Sequence, residues 1–367
     1  MKVRVYTISL LGVATLLSHP KPSFAQGSAG PAKGWLVIHG GGNLTNEVKD
    51  RVVALAGGAD ARFVMIPTAL PDGQIAGRSA NFAKLLEIRN YTELHTRDRD
   101  RANSDAFVDP LRHASGVWID GGRQWRLVNA YLGTAVEREI KALLDRGGVV
   151  FGSSAGASIQ ASFLVRGSPG TASNPDGDNT IMMAPGYEVG FGFLRNSAID
   201  QHVDARGRET DLDPVISAHP DLLGIGIDQS AAIIVHDDSL FVVGGQVGIH
   251  DGKKHVGGGT YFLLSSGQSY NLKNRATEPQ AKLPLSLTVA TASRSPKEGG
   301  AGFTTVGRGV LQSQENSESE RIEYQCDVAL YSIGNNAYPA RPDGPHKIRI
   351  LAREVNTDKL SEHICSY

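Results

Sequence analysis

Gly152-Ser153-Ser154-Ala155-Gly156 is the stretch of this chain best suited to chemistry. An apolar run from Gly148 to Phe151 precedes it and reads as a buried parallel strand, while Ala155 to Leu164 reads as the helix that follows. Gly-x-Ser-x-Gly between a strand and a helix is a nucleophile elbow, a turn so sharp that only small residues fit beside the serine. Such a turn would lift the Ser154 hydroxyl off the strand end. It would also set the Ala155 amide at a helix N-terminus, where it can donate to a developing oxyanion. The pattern also arises by chance in Gly/Ser-rich turns, and the flanking strand and helix are what favour the elbow.

A serine nucleophile needs a base within hydrogen-bond reach, and the base needs an orienting group. Most of the eleven histidines are ordinary. His219 precedes a proline in a loop, and His363 is near the C-terminus. His250 and His255 flank Asp251-Gly252-Lys253-Lys254, a turn rather than a metal site, and no further zinc ligands stand at a recognisable spacing. His202 lies in the compact polar cluster Asp200-Gln201-His202, just after an apolar approach. Its own context reads as a satisfied loop histidine somewhat more readily than as a base. If it is the base, the rate should rise through a limb near the ordinary imidazole pKa.

The elements that must position these residues alternate. Trp35 to His39, Arg62 to Pro67, Tyr91 to His95, Val117 to Asp120 and Val149 to Phe151 are candidate strands. Glu47 to Gly57, Ser79 to Ile88, Trp125 to Asp145 and Ala155 to Leu164 are candidate helices. Strands separated by such helices imply an α/β fold with a mostly parallel sheet covered on both faces. Active sites in such sheets form at the carboxyl ends of the strands. Three stretches fall at such ends: His39-Gly40-Gly41-Gly42-Asn43, Asp120-Gly121-Gly122-Arg123-Gln124, and the elbow. Gly167 to Asn179 reads as a loop; Leu223 to Asp228, Ala231 to His236 and Leu240 to Val243 read as short hairpin-connected strands.

The ends of the chain differ from its middle. Lys2 and Arg4, an apolar run from Ile8 to Leu17, and Ser23-Phe24-Ala25 read as a signal peptide over residues 1–25, cleaved before Gln26. The run is short for a membrane span, so export without stable membrane insertion is expected. Residues 26–270 form the α/β domain of this reading, and 271–367 a small β-rich accessory region. In an exported chain the two cysteines, Cys326 and Cys365, favour a disulfide over two free thiols. With 37 basic and 38 acidic residues the net charge is -1, so bulk electrostatics offers nothing to nucleic acid.

The ordered motifs resemble one family. Gly152-Ser153-Ser154-Ala155-Gly156-Ala157 is similar to the Gly-Thr-Ser-Ala-Gly-Ala of the cyanophycinase family of serine peptidases. Asp200-Gln201-His202, Arg206-Gly207-Arg208 and Gly224-Ile225-Gly226-Ile227-Asp228 match three further motifs in the family's order. Gly40-Gly41-Gly42 and Gly121-Gly122-x-Gln124 match its upstream glycine turns. The likeness runs from about Trp35 to Gly245.

This resemblance implies a fold like the class I glutamine amidotransferases, with Ser154 as nucleophile, His202 as base, and the Gly122 and Ala155 amides as oxyanion donors. Gln124, Gln201, Arg206 and Arg208 would face the substrate, with no metal or organic cofactor. The substrate class implied is peptide: cyanophycin, a poly-aspartate backbone carrying arginine on each β-carboxyl, or aspartyl dipeptides. The oligomeric state is left open, a homodimer included. Three positions depart from the family pattern. Gln229 stands where the family usually has the triad glutamate, leaving Gln229 or Asp228 to orient His202. Arg123 stands where aspartate or asparagine is commoner, and Asp211 near where another arginine often follows Arg208.

Overall fold

The computed structural model describes residues 28–253 and 260–278, and beyond them the backbone of four strands within 285–292, 303–311, 347–353 and 360–366. The leader over residues 1–25 and the bridge expected at Cys326 fall outside the described residues.

Five strands form the parallel heart of the molecule: β1 (Trp35–His39), β2 (Phe63–Ile66), β3 (Tyr91–Glu93), β4 (Gly116–Ile119) and β5 (Val149–Ser153). Between them run α1 (Asn46–Ala56), α2 (Arg78–Leu85), α3 (Arg99–Asn103), α4 (Asp105–His113), α5 (Gln124–Tyr131) and α6 (Ala135–Asp145). Beyond the elbow come α7 (Ala155–Ser158), β6 (Ala161–Phe163), β7 (Leu194–Gln201), α8 (Val203–Arg206), α9 (Asp213–Ala218) and β8 (Leu223–Ile227). The remaining strands are β9 (Ala232–His236), β10 (Ser239–Val243), β11 (Gln246–Asp251), β12 (Phe262–Ser265), β13 (Ser269–Asn271) and β14 (Ala276–Glu278).

The main sheet has nine strands in the order β14-β13-β10-β9-β1-β5-β4-β2-β3. From β1 to β3 the pairings are parallel, and from β9 outward they are antiparallel. Side chains alternate across a strand, so the sheet buries two cores. Val37, Phe63, Met65, Trp118 and Phe151 pack against α1 and α2 on one face. Leu36, Ile38, Val64, Ile66 and Val150 join a larger cluster on the other, with residues of α5 and α6 and of a second sheet. That second sheet, β12-β11-β8-β7-β6, was not anticipated from sequence.

Three local readings are corrected. The helix expected from Ala155 to Leu164 is only α7, and the rest becomes β6. Here the Gln160 side chain donates to the Gly156 carbonyl at 3.1 Å, the acceptor the next helical turn would use, while its own N–H bonds Ala157. The single helix expected over Trp125 to Asp145 is broken into α5 and α6 at Gly133, whose φ is 76°. Finally, β8 does not form a hairpin with β9: it joins β7 and β11 in the second sheet. The expected domain limit at 270 falls within β13, and the main sheet runs on to Glu278.

Candidate active site

The carboxyl ends of β1, β4 and β5 in the main sheet, with those of β7 and β8 in the second, supply the residues gathered around Ser154. Ser154 follows β5 directly and has φ 54° and ψ −113°. A positive φ at a residue with a Cβ is costly and survives only where its surroundings impose it. Those surroundings are tight: a Cβ added at Gly152 would fall 2.0 Å from the Gly156 carbonyl oxygen, and one at Gly156 would fall 2.0 Å from that of Ile119. Both glycines of the elbow are therefore required by close backbone approach, and the turn they allow lifts the hydroxyl clear.

His202, the residue just before α8, is in the left-handed region, φ 57° and ψ 37°, which swings its ring back over the elbow. Its Nε2 lies 3.0 Å from Ser154 Oγ. The backbone holds it there, since the His202 N–H donates to the Gly40 carbonyl at 2.9 Å. Gly41 lines the ring so closely that a Cβ would fall 2.5 Å from Nε2. On the far side of the ring, Gln229 places its amide nitrogen 2.8 Å from Nδ1. Asp228, the alternative orienter, accepts instead from the Asp204 N–H at 3.2 Å, while Asp204 accepts from the Gln229 N–H at 2.7 Å. The pair lies just past the end of β8, with Gln229 in a turn, and of the two it is Gln229 that reaches His202.

Burial, then Arg206 and Arg208, pull the His202 pKa down to about 4. The limb expected near the ordinary imidazole value therefore moves to more acid pH. A second histidine escaped the sequence reading. His39, buried at the end of β1, has Nδ1 at 3.1 Å from Ser153 Oγ and takes the Gly41 N–H at 3.3 Å. Burial lowers its pKa to about 4 as well, so it is neutral near neutral pH. It ties the elbow to the glycine loop that lines the His202 ring. Its signal in the sequence was only its place, last in a strand and directly before three glycines.

Two amides are free to meet an oxyanion. Ala155 opens α7, and the first N–H of a helix has no intrahelical acceptor. Gly122 lies in the turn after β4; a Cβ built on its neighbour Gly121 would stand 3.7 Å from Ser154 Oγ. Neither N–H has a partner among the described residues. Asp120 anchors this turn: it accepts from the Gly121 N–H at 2.7 Å and from Nε and Nη2 of Arg78, at 2.5 and 2.9 Å.

Of the four residues expected to face substrate, two glutamines are buried with one polar atom each unsatisfied. Gln124 is 2% exposed and its Nε2 has no acceptor; Gln201 is 4% exposed and its Oε1 has no donor. Buried polar atoms without partners are rare in folded chains and mark places where a ligand or water completes the bonding. Arg206 is exposed. Arg208 is turned inward instead: it is buried, donates to the Gln201 carbonyl at 3.1 Å and sits 3.6 Å from Asp200.

Asp200 is fully buried and grips Arg166 through two bonds of 2.7 Å, and Arg166 reaches Asp211 at 2.6 Å. Asp200 and Asp211 thus serve as scaffold behind His202. Removing one partner of a buried pair strands the other charge, at a cost of about 3–5 kcal/mol. Arg166→Met should therefore lose stability on that scale in chemical denaturation, and a loss below about 1 kcal/mol would show that the network does not hold the strand.

Comparison with known proteins gives the family. The family model for Peptidase family S51 matches residues 36–243. The chain belongs to this family. It is a serine-type peptidase. Curated relatives in this company are a cyanophycinase of Nostoc sp., 30% identical over 244 residues, covering 61% of this chain and 80% of the relative. Another, from Geminocystis herdmanii, is 29% identical over 220 residues, covering 59% and 77%. Among solved structures, a peptidase from an acI-B1 actinobacterium aligns with TM-score 0.49 and 22% identity, over 66% of this chain and 98% of that one.

Proposed function

We propose that this member of the peptidase family is an exported enzyme that hydrolyses aspartyl peptides of the cyanophycin type through an acyl-enzyme on Ser154. The observation that carries the reading is the 3.0 Å approach of His202 Nε2 to the hydroxyl of a strained Ser154. In the first half-reaction Oγ attacks the scissile carbonyl carbon and its proton passes to Nε2. The carbonyl oxygen becomes an oxyanion held by the Gly122 and Ala155 N–H groups. Collapse of that intermediate expels the amine, which takes the proton from His202. Water then repeats the sequence on the ester, with its proton again passing to His202, and Ser154 is restored. The unsatisfied amide groups of Gln124 and Gln201 would bind the substrate's carboxylate and amide groups, and the exposed Arg206 suits an aspartyl carboxylate. The cyanophycinases among the relatives supply the substrate class.

Export rests on the basic, apolar and small-residue pattern of residues 1–25. Its test is N-terminal sequencing of the secreted protein, which should begin at Gln26. No described helix is long and apolar enough to cross a membrane.

A second reading, an impaired relative that binds peptides without turning them over, is favoured by one observation: a neutral amide stands at His202 Nδ1. Incubation with cyanophycin and with a panel of α- and β-aspartyl dipeptides separates the readings. Release of β-aspartyl-arginine supports the polymer hydrolase, cleavage of dipeptides alone supports an aspartyl dipeptidase, and tight binding without products supports the impaired relative.

A further inference from the structure

His39 takes no part in the proton transfers at Ser154, yet it binds the segments that carry them. It ends β1 and lies opposite Ser153 in the parallel register with β5. Its carbonyl accepts from the Ser154 N–H at 3.0 Å. Its buried ring meets Ser153 Oγ at 3.1 Å and the Gly41 N–H at 3.3 Å through one nitrogen, Nδ1. A backbone N–H can only donate, so Nδ1 is bare, the Ser153 hydroxyl donates to it as well, and the ring proton sits on Nε2. That proton faces only the Asn43 backbone, outside full hydrogen-bond geometry. The loop held at Gly41 seats both partners of the imidazole. The Gly40 carbonyl accepts from the His202 N–H at 2.9 Å, and a Cβ at Gly41 would fall 2.5 Å from His202 Nε2. The Gly41 carbonyl accepts from the Ser230 N–H at 2.8 Å, and a Cβ at Gly42 would fall 3.0 Å from Gln229 Oε1.

Glycine has more backbone conformations open to it than any other residue, so three in succession keep one shape only when held from outside. We propose that His39 is a positioning residue: its Nδ1 locks the glycine loop to the end of β5, and through that loop sets where His202 and Gln229 stand relative to Ser154. The proposal rests on Ser154 and His202 as nucleophile and base. Ser153 is the lesser contact, because its loss leaves the Gly41 bond to Nδ1 and the His39 carbonyl's bond to Ser154 in place.

The test exchanges the ring for two amides of different reach. In His39→Asn the side-chain oxygen can stand where Nδ1 stands; in His39→Gln the amide extends to the place of Nε2 and leaves Gly41 without an acceptor. Fluorophosphonate labelling of Ser154 should slow about 10- to 100-fold in His39→Gln, the scale on which a displaced catalytic group costs rate, and return to within about threefold of native in His39→Asn. Equal rates in native protein and both variants, or equal losses in the two variants, would overturn the proposal, since packing alone does not depend on which atom accepts. Nitrogen-15 spectra of the histidine rings need no turnover. Native His39 should be the Nε2–H tautomer at neutral pH, and the Nδ1–H tautomer would overturn the proposal whether or not either variant folds. If native Ser154 does not label, the nucleophile reading fails, and the clamp is judged by the His202 ring signals. Signals displaced in His39→Gln but native in His39→Asn support it; signals unmoved in both reject it.

Discussion

Ser154→Ala should abolish fluorophosphonate labelling completely and lower turnover at least about 100-fold, leaving the denaturation midpoint nearly unchanged. The loss of labelling follows from the absence of a nucleophile, whatever the state of the other groups. The size of the kinetic loss is less simple. Removing the serine of an intact triad costs about 10⁶ in kcat, but triad members act as a unit and their effects do not add. If Gln229 already slows the native enzyme, less remains for Ser154→Ala to remove, so the measured loss itself reports how impaired the native site is. Ser153→Ala is the control. Its hydroxyl faces His39 at 3.1 Å and not His202, so it should retain both labelling and most turnover. Equal losses from the two serines would mean that the loop is being damaged and would remove Ser154 from the role of nucleophile.

The elbow was legible because its requirements are local. Two glycines, a serine and an apolar strand declare a backbone that only small residues permit, and the 2.0 Å approaches at Gly152 and Gly156 are that requirement in space. The parallel strands were legible for the same reason, as apolar runs of the right length between amphipathic segments. What stayed hidden depended on partners far along the chain. Residues 161–163 carry no periodicity that separates a strand from a helix, and they are a strand because β7 lies beside them. β8 read as part of a hairpin because β9 follows so closely, yet their pairings lie in different sheets. Pro110 inside α4 interrupts the pattern that would have shown that helix, whereas the pattern runs on through Gly133, so α5 and α6 read as one helix and only the backbone shows the break. Arg208 looked like a substrate ligand beside Arg206. Only the fold could show that one faces solvent and the other faces Asp200.

Gln229→Glu should raise kcat by tenfold or more near pH 8 and move the acid limb of the rate profile upward. The reason lies in the tautomer of His202. To accept the Ser154 proton, Nε2 must be bare, so Nδ1 must carry the ring proton and donate it. With the Gln229 nitrogen at 2.8 Å from Nδ1, the amide donates instead, and the ring proton sits on Nε2, facing Ser154. Turned about its last bond, the amide would offer its oxygen and restore the productive tautomer, so the neutral side chain permits both states. A carboxylate has only acceptors and permits one. It also stabilises the imidazolium formed during attack, which an amide cannot do. In the well-studied serine protease triad the acid-to-amide change costs about 10⁴ in turnover, which bounds the gain available here.

The pH profile separates this account from simple repacking. A base must be neutral to act, so activity is full above its pKa and falls as pH drops through it. The native His202, lowered to about 4 by burial and the two arginines, should hold the rate flat from about pH 5 to 8. A carboxylate in hydrogen-bond contact should raise that pKa by about 1–3 units and carry the limb to between about pH 5 and 7. The ratio of variant to native rate should therefore climb between pH 4 and pH 7, a crossing that improved packing alone would not produce. The new charge would stand beside Asp204 and Asp228, the latter already pushed up by burial and by Asp204, so a modest loss of stability should accompany the gain. Asp228→Asn should change little, since that carboxylate is spent on the Asp204 N–H. If Asp228→Asn abolished activity while Gln229→Glu moved neither rate nor limb, Asp228 would be the group that orients His202 during the reaction.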